Sequence, residues 1–236
     1  MMTIFKRYIA LFLIFIVITL LWNTDAMSPL KIFVVFMHEV SHGLAAIATG
    51  GSIVQIEVNP QQGGHALTRG GSRFWTLSAG YLGSLLWGGV ILLLAARTHL
   101  DKAVSVIIGI GMVVITIAFG SDTFTYLFGI AFGVTLIGIG MFLPEVVNDW
   151  ILRVIGLTSC LYAILDIKSD VLDRSNLRSD ARMLAEDMGL LTTEIWGLLW
   201  IVIALVLTVW FLYLSGKMTD ATESENTDTA TNTEVG

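Results

Sequence analysis

The chain has 236 residues, of which 55% are hydrophobic and only 14% are charged. Ordinary soluble domains carry about 25% charged residues, so this composition excludes a water-soluble globule and indicates a polytopic membrane protein. The formal net charge of −6 excludes the basic surface of a nucleic-acid-binding protein, and the single cysteine excludes an internal disulfide.

Seven apolar stretches have lengths that fit, or nearly fit, a helix crossing a bilayer. In chain order they are residues 8–22, 31–49, 74–96, 103–119, 124–143, 149–167 and 195–215. Six spans are the alternative, if the Gly-rich pair around Gly120 forms one re-entrant unit. The predicted fold class is therefore an all-α polytopic membrane protein with about seven transmembrane helices.

The domain organisation follows from the same pattern. Residues 1–218 are expected to form one membrane-embedded domain, and residues 219–236 a disordered acidic tail without large apolar residues before Val235. More Lys and Arg residues fall on the side of the N-terminus, which predicts a cytoplasmic N-terminus. Because no organelle signal is evident, the expected host is a bacterial-type plasma membrane. The lipid bilayer is then one partner of the chain.

The connection between the second and third apolar stretches is unusual. Residues 52–58 alternate and contain β-branched residues, a turn follows at Asn59-Pro60 through Gly64, and residues 65–68 return. The pattern predicts a small β-hairpin over residues 51–68. Such a hairpin is either a plain surface element or an edge that binds an extended peptide.

The second apolar stretch contains the motif H-E-x-x-H, as His38, Glu39 and His42. On a helix, His38 and His42 lie on one face, where both imidazoles can reach one metal ion. Glu39 lies beside them and is a candidate general base acting on a metal-activated water. Ionisable side chains inside an apolar stretch are costly, which favours a functional site over a packing patch.

A catalytic zinc site needs a third protein ligand. His99 falls in a loop remote from the hairpin, and His65 in the hairpin is a weaker candidate because a loop holds a ligand loosely. Asp166 ends a continuous apolar run, and Asp170 follows one turn later on the same face. From the residues alone, either carboxylate is a possible third ligand.

Together these residues resemble the site-2 protease family of intramembrane zinc metallopeptidases, over roughly residues 31–170. His38, Glu39 and His42 match the family's H-E-x-x-H helix, and Leu165-Asp166 matches its Leu-Asp pair on a later span. The segment Ser78-Ala-Gly-Tyr-Leu-Gly-Ser84 resembles the family's small-residue segment. The resemblance implies that His38, His42 and Asp166 bind Zn²⁺, that Glu39 is catalytic, and that the substrate is a membrane protein.

Three residues depart from the family pattern: Tyr81 stands where Pro is frequent, Ser84 where Asn is frequent, and Ile167 where Gly is usual. The connections are too short for an inserted peptide-binding domain, so the chain is closest to a compact branch lacking a PDZ insert. These departures motivate an alternative, a non-catalytic membrane scaffold or regulator. A metal transporter is disfavoured because the middle spans contain few polar residues.

The pattern of residues 168–193 predicts a short helix, which is capped by Ser179 or Asp180 and carries Leu184 and Met188 along one side. This helix is either an interfacial connection between two spans or a flap that orders near the site.

Overall fold

In the computed structural model, residues 4–173 and 178–217 are described, and they form eight α-helices and a two-stranded sheet. The helices are α1 Ile4–Leu21, α2 Ser28–Ala48, α3 Arg73–Arg97, α4 Asp101–Phe119, α5 Thr123–Phe142, α6 Glu145–Lys168, α7 Asp180–Met188 and α8 Thr193–Lys217. The strands β1 Ser52–Val58 and β2 Gly64–Arg69 lie between α2 and α3 in the chain. The predicted all-α polytopic class with a hairpin after the motif helix is confirmed.

Six helices in the described part of the chain are long and apolar enough to cross a membrane. They correspond to α2 to α6 and α8, and α1 contributes a shorter apolar stretch, Tyr8–Leu21. The short α7 is the helix predicted between the last two spans. The predicted acidic tail, residues 219–236, lies outside the described residues.

Helix α2 is the most enclosed of the candidate spans. In α2, 78% of the apolar stretch is buried inside the protein, whereas in the other five candidate spans the buried share lies between 22% and 56%. Pro29 lies in the first turn, where its missing N–H costs nothing and its fixed φ favours the start of a helix. Helix α2 packs against α3, α6 and both strands, so the H-E-x-x-H motif lies at the centre of the bundle.

The hairpin lies along α2. Antiparallel pairing runs from Ser52 opposite Arg69 to Val58 opposite Gly64. The far edge of β1 is tied to the α4–α5 connection, because Ile56 forms a parallel bridge with Gly120 and the Val58 N–H donates to Thr125 Oγ1 at 2.9 Å. Within the described residues β2 pairs with β1 alone, so its other edge carries no neighbouring strand.

Helices α4 and α5 pack closely through glycines. A Cβ atom at Gly133 would lie 2.8 Å from the carbonyl oxygen of Gly109 and 2.7 Å from a methyl group of Val113. The backbones of the two helices therefore touch at this crossing, as in other membrane helix pairs that use small residues.

Gly133→Ala is expected to lower the free energy of unfolding by about 1–3 kcal/mol, because backbone must move to accept the methyl group. Gly138→Ala is the matched control on the same helix, since its Cβ would meet no atom within 4 Å. The control should be neutral or more stable by up to about 1 kcal/mol, from helix propensity. Unfolding in detergent micelles measures the stability of both variants. Equal losses of stability would contradict the close approach of α4 and α5.

Candidate metal centre and active site

The motif residues of α2 face one cavity. His38, Glu39 and His42 are 9%, 5% and 7% exposed, respectively, and all three line a polar cavity of about 360 Å³. The two imidazole rings lie edge to face with centroids 4.7 Å apart, as expected for residues separated by one helical turn. The predicted site residues of the motif are therefore brought together, inside the bundle.

Asp180 completes the cluster. Its Oδ2 atom lies 3.1 Å from Nε2 of His38 and 3.1 Å from Nε2 of His42. These three ligand atoms all lie within 4.8 Å of one another. Ligand atoms around a tetrahedral zinc ion are about 3.3 Å apart, given bonds of about 2.0–2.1 Å, so the spacing fits one metal ion bound by all three.

Asp180 reaches the site because it begins α7. Ser179 caps this helix by accepting a hydrogen bond from the backbone N–H of Arg182 at 3.3 Å. Burial by itself raises the pKa of the Asp180 carboxyl, but the facing His42 and His38 rings outweigh it and hold that pKa well below its ordinary value. The group is therefore a carboxylate, the form that binds a cation.

The tautomer of His42 is fixed by the backbone of α3. Nδ1 of His42 lies 2.6 Å from the carbonyl oxygen of Thr76, which can only accept, so Nδ1 carries a hydrogen and donates it. In a neutral ring, Nε2 then directs a lone pair at the Asp180 oxygen. Two lone pairs 3.1 Å apart repel each other unless a positive charge, a proton or a metal ion, lies between them. Donation of Nδ1–H to a carbonyl is also how metal-ligating histidines are oriented.

Helix α3 passes directly against the two rings at Gly80. A Cβ atom there would lie 2.4 Å from Nε2 of His38 and 2.6 Å from Nε2 of His42. Only glycine leaves both ligand nitrogens their present positions. The family-like small-residue segment thus serves to bring the α3 backbone against the histidine pair.

The hairpin forms the wall of the cavity beside Glu39. Residues 61–66 line the cavity, and a Cβ atom at Gly64 would lie 2.9 Å from Oε1 of Glu39. The start of β2, with its unpaired edge, therefore lies next to the carboxylate predicted to be the general base.

The other predicted ligands lie apart from the cluster. Asp166 lines the same cavity from α6, but the group of neighbouring ligand atoms contains Asp180 and not Asp166, whose role as third ligand stays a prediction. The Asp170 carboxylate accepts a hydrogen bond from Tyr81. His65 pairs with Glu57 at 3.4 Å with 57% of its side chain exposed, and His99 lies in the α3–α4 connection.

The sequence indicated Asp180 only as a helix cap, and its approach to the two histidines was missed. One signal was present: Asp180 precedes Leu184 by four residues, so both lie on the apolar face of α7. A carboxylate on the buried face of a short amphipathic helix is costly unless it has a charged partner.

Gly80→Ala is expected to reduce bound metal to a small fraction of the wild-type amount, because the new methyl group displaces both ligand nitrogens. Gly111→Ala is the matched control, since its Cβ meets no atom within 4 Å. Metal analysis of the purified proteins, with a melting curve to check folding, measures the effect. Full metal content in a folded Gly80→Ala protein would contradict the geometry.

Comparison with known proteins identifies the family of this chain. Searches of curated proteins and of solved structures found no match. A family model described as peptidase M50B-like matches residues 11–211, which include the motif helix, the hairpin, Asp166 and Asp180. The match covers most of the chain and confirms the resemblance to site-2 proteases. The chain therefore belongs to the M50B-like family of membrane metallopeptidases.

Proposed function

We propose that this protein is an intramembrane zinc metalloendopeptidase that cleaves segments of membrane proteins. The observation that carries the proposal is the meeting of two histidine nitrogens and one carboxylate oxygen, 3.1 Å apart, beside Glu39 in a cavity within the bundle. Membership of a peptidase family supports the same reaction class.

The donor set fits zinc. His38, His42 and Asp180 are a His₂-carboxylate set, which is the ligand type of several catalytic zinc enzymes and leaves one coordination position open. Zinc bound there supplies a Lewis acid that acidifies a water molecule and polarises the scissile carbonyl. We propose Asp180 as the third ligand in place of Asp166, because its oxygen already faces both rings.

Glu39 is proposed as the general base. It follows His38 directly on α2, is buried at 5% exposure and lines the same cavity. Its carboxylate takes the proton of the attacking water and passes it to the leaving nitrogen of the cleaved peptide bond. Its buried setting excludes bulk water, which strengthens the electrostatic interactions that stabilise the transition state.

The substrate is proposed to bind as an extended strand. A helical backbone satisfies its own hydrogen bonds and shields its carbonyls, so a membrane helix must unwind before cleavage. The free edge of β2 offers backbone groups to an unwound segment, and its first residue, Gly64, contacts Glu39. The hairpin therefore supports the peptide-binding alternative over that of a plain surface element.

The bilayer is the proposed environment of the reaction, with the protein in a bacterial-type plasma membrane and its N-terminus in the cytoplasm. The six candidate spans show a multi-pass membrane protein, and the orientation rests on the distribution of Lys and Arg.

Glu39→Gln is expected to lower the cleavage rate by roughly 100- to 10,000-fold while zinc remains bound, because the amide cannot accept the proton. Glu186→Gln is a matched control, since Glu186 lies exposed on α7 and pairs only with Arg182 among the contacts of the described residues. Tagged single-span membrane proteins, co-reconstituted and followed on gels, report cleavage. Undiminished function of Glu39→Gln would favour the non-catalytic scaffold.

Asp180→Ala is expected to abolish stoichiometric zinc binding, whereas Asp166→Ala should retain about one zinc per chain. The two variants remove the same group from the same cavity, so each controls for the other. Metal analysis after dialysis against free zinc distinguishes them. The reverse pattern would return the third-ligand role to Asp166, as the family resemblance implies.

A further inference from the structure

Tyr81 is buried against the proposed metal site. Its side chain is 1% exposed, and its ring lies edge to face against His38, with centroids 5.1 Å apart and planes at 83°. The ring also packs against Trp200 of α8, with centroids 5.2 Å apart. Rotation of the His38 ring away from the cluster is therefore opposed by a side chain that is itself immobilised by packing.

The hydroxyl of Tyr81 holds a different part of the chain. It donates a hydrogen bond of 2.5 Å to Oδ2 of Asp170, across 89 residues of sequence. Asp170 lies in a π-helical turn, Ser169–Asp173, which continues α6 toward α7. Hydrogen bonds to charged groups are among the stronger ones in proteins, so this contact fixes the chain where it leaves α6.

The start of helix α7 packs in the same buried apolar cluster as Tyr81 and the π-helical turn. Ala181 and Leu184 pack in the core, and Asp187 pairs with Arg73 at 2.8 Å on a surface open to solvent. Exposed ion pairs contribute little to stability. Val171, the neighbour of Asp170, lies in the same buried cluster as Ala181, the neighbour of Asp180, so holding Asp170 in place also holds the surface on which the start of α7 packs.

We propose that Tyr81 and Asp170 form a latch that positions His38 and Asp180 for metal binding. The inference rests on the proposed function and assigns both residues a positioning role. Tyr81 is one of the residues at which this chain departs from the pattern of site-2 proteases, and proline in its place would supply neither ring nor hydroxyl. Asp170, a candidate ligand in the sequence, instead acts through Tyr81.

The test is a double-mutant cycle on zinc affinity. Tyr81→Phe and Asp170→Ala are each expected to weaken zinc binding about 10- to 100-fold, the range typical of residues that orient metal ligands. The zinc affinity of the double variant should be no lower than that of the weaker-binding single variant, because both substitutions break the same hydrogen bond. Tyr126→Phe is the matched control, which loses a 2.7 Å hydrogen bond to Gly120 on the far side of the hairpin.

A second readout needs no zinc. In metal-free protein, trypsin should cut after the exposed Arg178 several-fold faster in Tyr81→Phe than in wild type or in Tyr126→Phe. If wild type binds no zinc but this acceleration appears, the proposed function fails, whereas the role of Tyr81 and Asp170 in holding the start of α7 stands. If wild type binds zinc while Tyr81→Phe changes neither affinity nor cleavage, the latch is wrong. Strictly additive effects of the two substitutions would also overturn it.

Discussion

The structure depends on the electrostatic balance around two buried imidazoles. His38, His42, Glu39 and Asp180 are all largely buried within the helix bundle, where an uncompensated charge or an unpaired polar group costs several kcal/mol. The hydrogen bond from His42 to the α3 backbone leaves a lone pair opposite a carboxylate, and only a positive charge makes that arrangement favourable. A divalent cation bound to all three groups would provide that charge, and the spacing of the three ligand atoms fits one such ion.

The rest of the fold serves this arrangement. Helix α2 is enclosed on several sides by α3, α6 and the hairpin, which removes the histidines from lipid. Gly80 lets the backbone of α3 pass close to both rings, and α7 brings the Asp180 carboxylate to them from outside the candidate spans. The first residue of β2, Gly64, lies beside Glu39, so the strand proposed to hold an extended substrate and the residue proposed as general base line one cavity.

The sequence predicted those parts that local patterns encode. The spans follow from apolar length, the hairpin from alternation and turn residues, and the histidine pair from the spacing of one motif. The approach of Asp180 to His38 is a contact across 142 residues, which no local pattern records, and Asp180 also resembles an ordinary helix cap. Asp170 was an alternative to the preferred Asp166 because it lies one turn later on the same helix face, and only packing shows that its carboxylate accepts a hydrogen bond from Tyr81.

The most direct test of the account is zinc K-edge X-ray absorption on the metal-loaded protein in detergent. Zinc bound by His38, His42 and Asp180 is expected to be four-coordinate, with two imidazole nitrogens at about 2.0–2.1 Å, oxygen ligands at about 2.0–2.2 Å, and no sulfur. Substituting both His38 and His42 by alanine should remove the imidazole scattering. A spectrum without imidazole, or a wild-type protein that takes up no metal at all, would contradict a metal centre built on the histidine pair of α2.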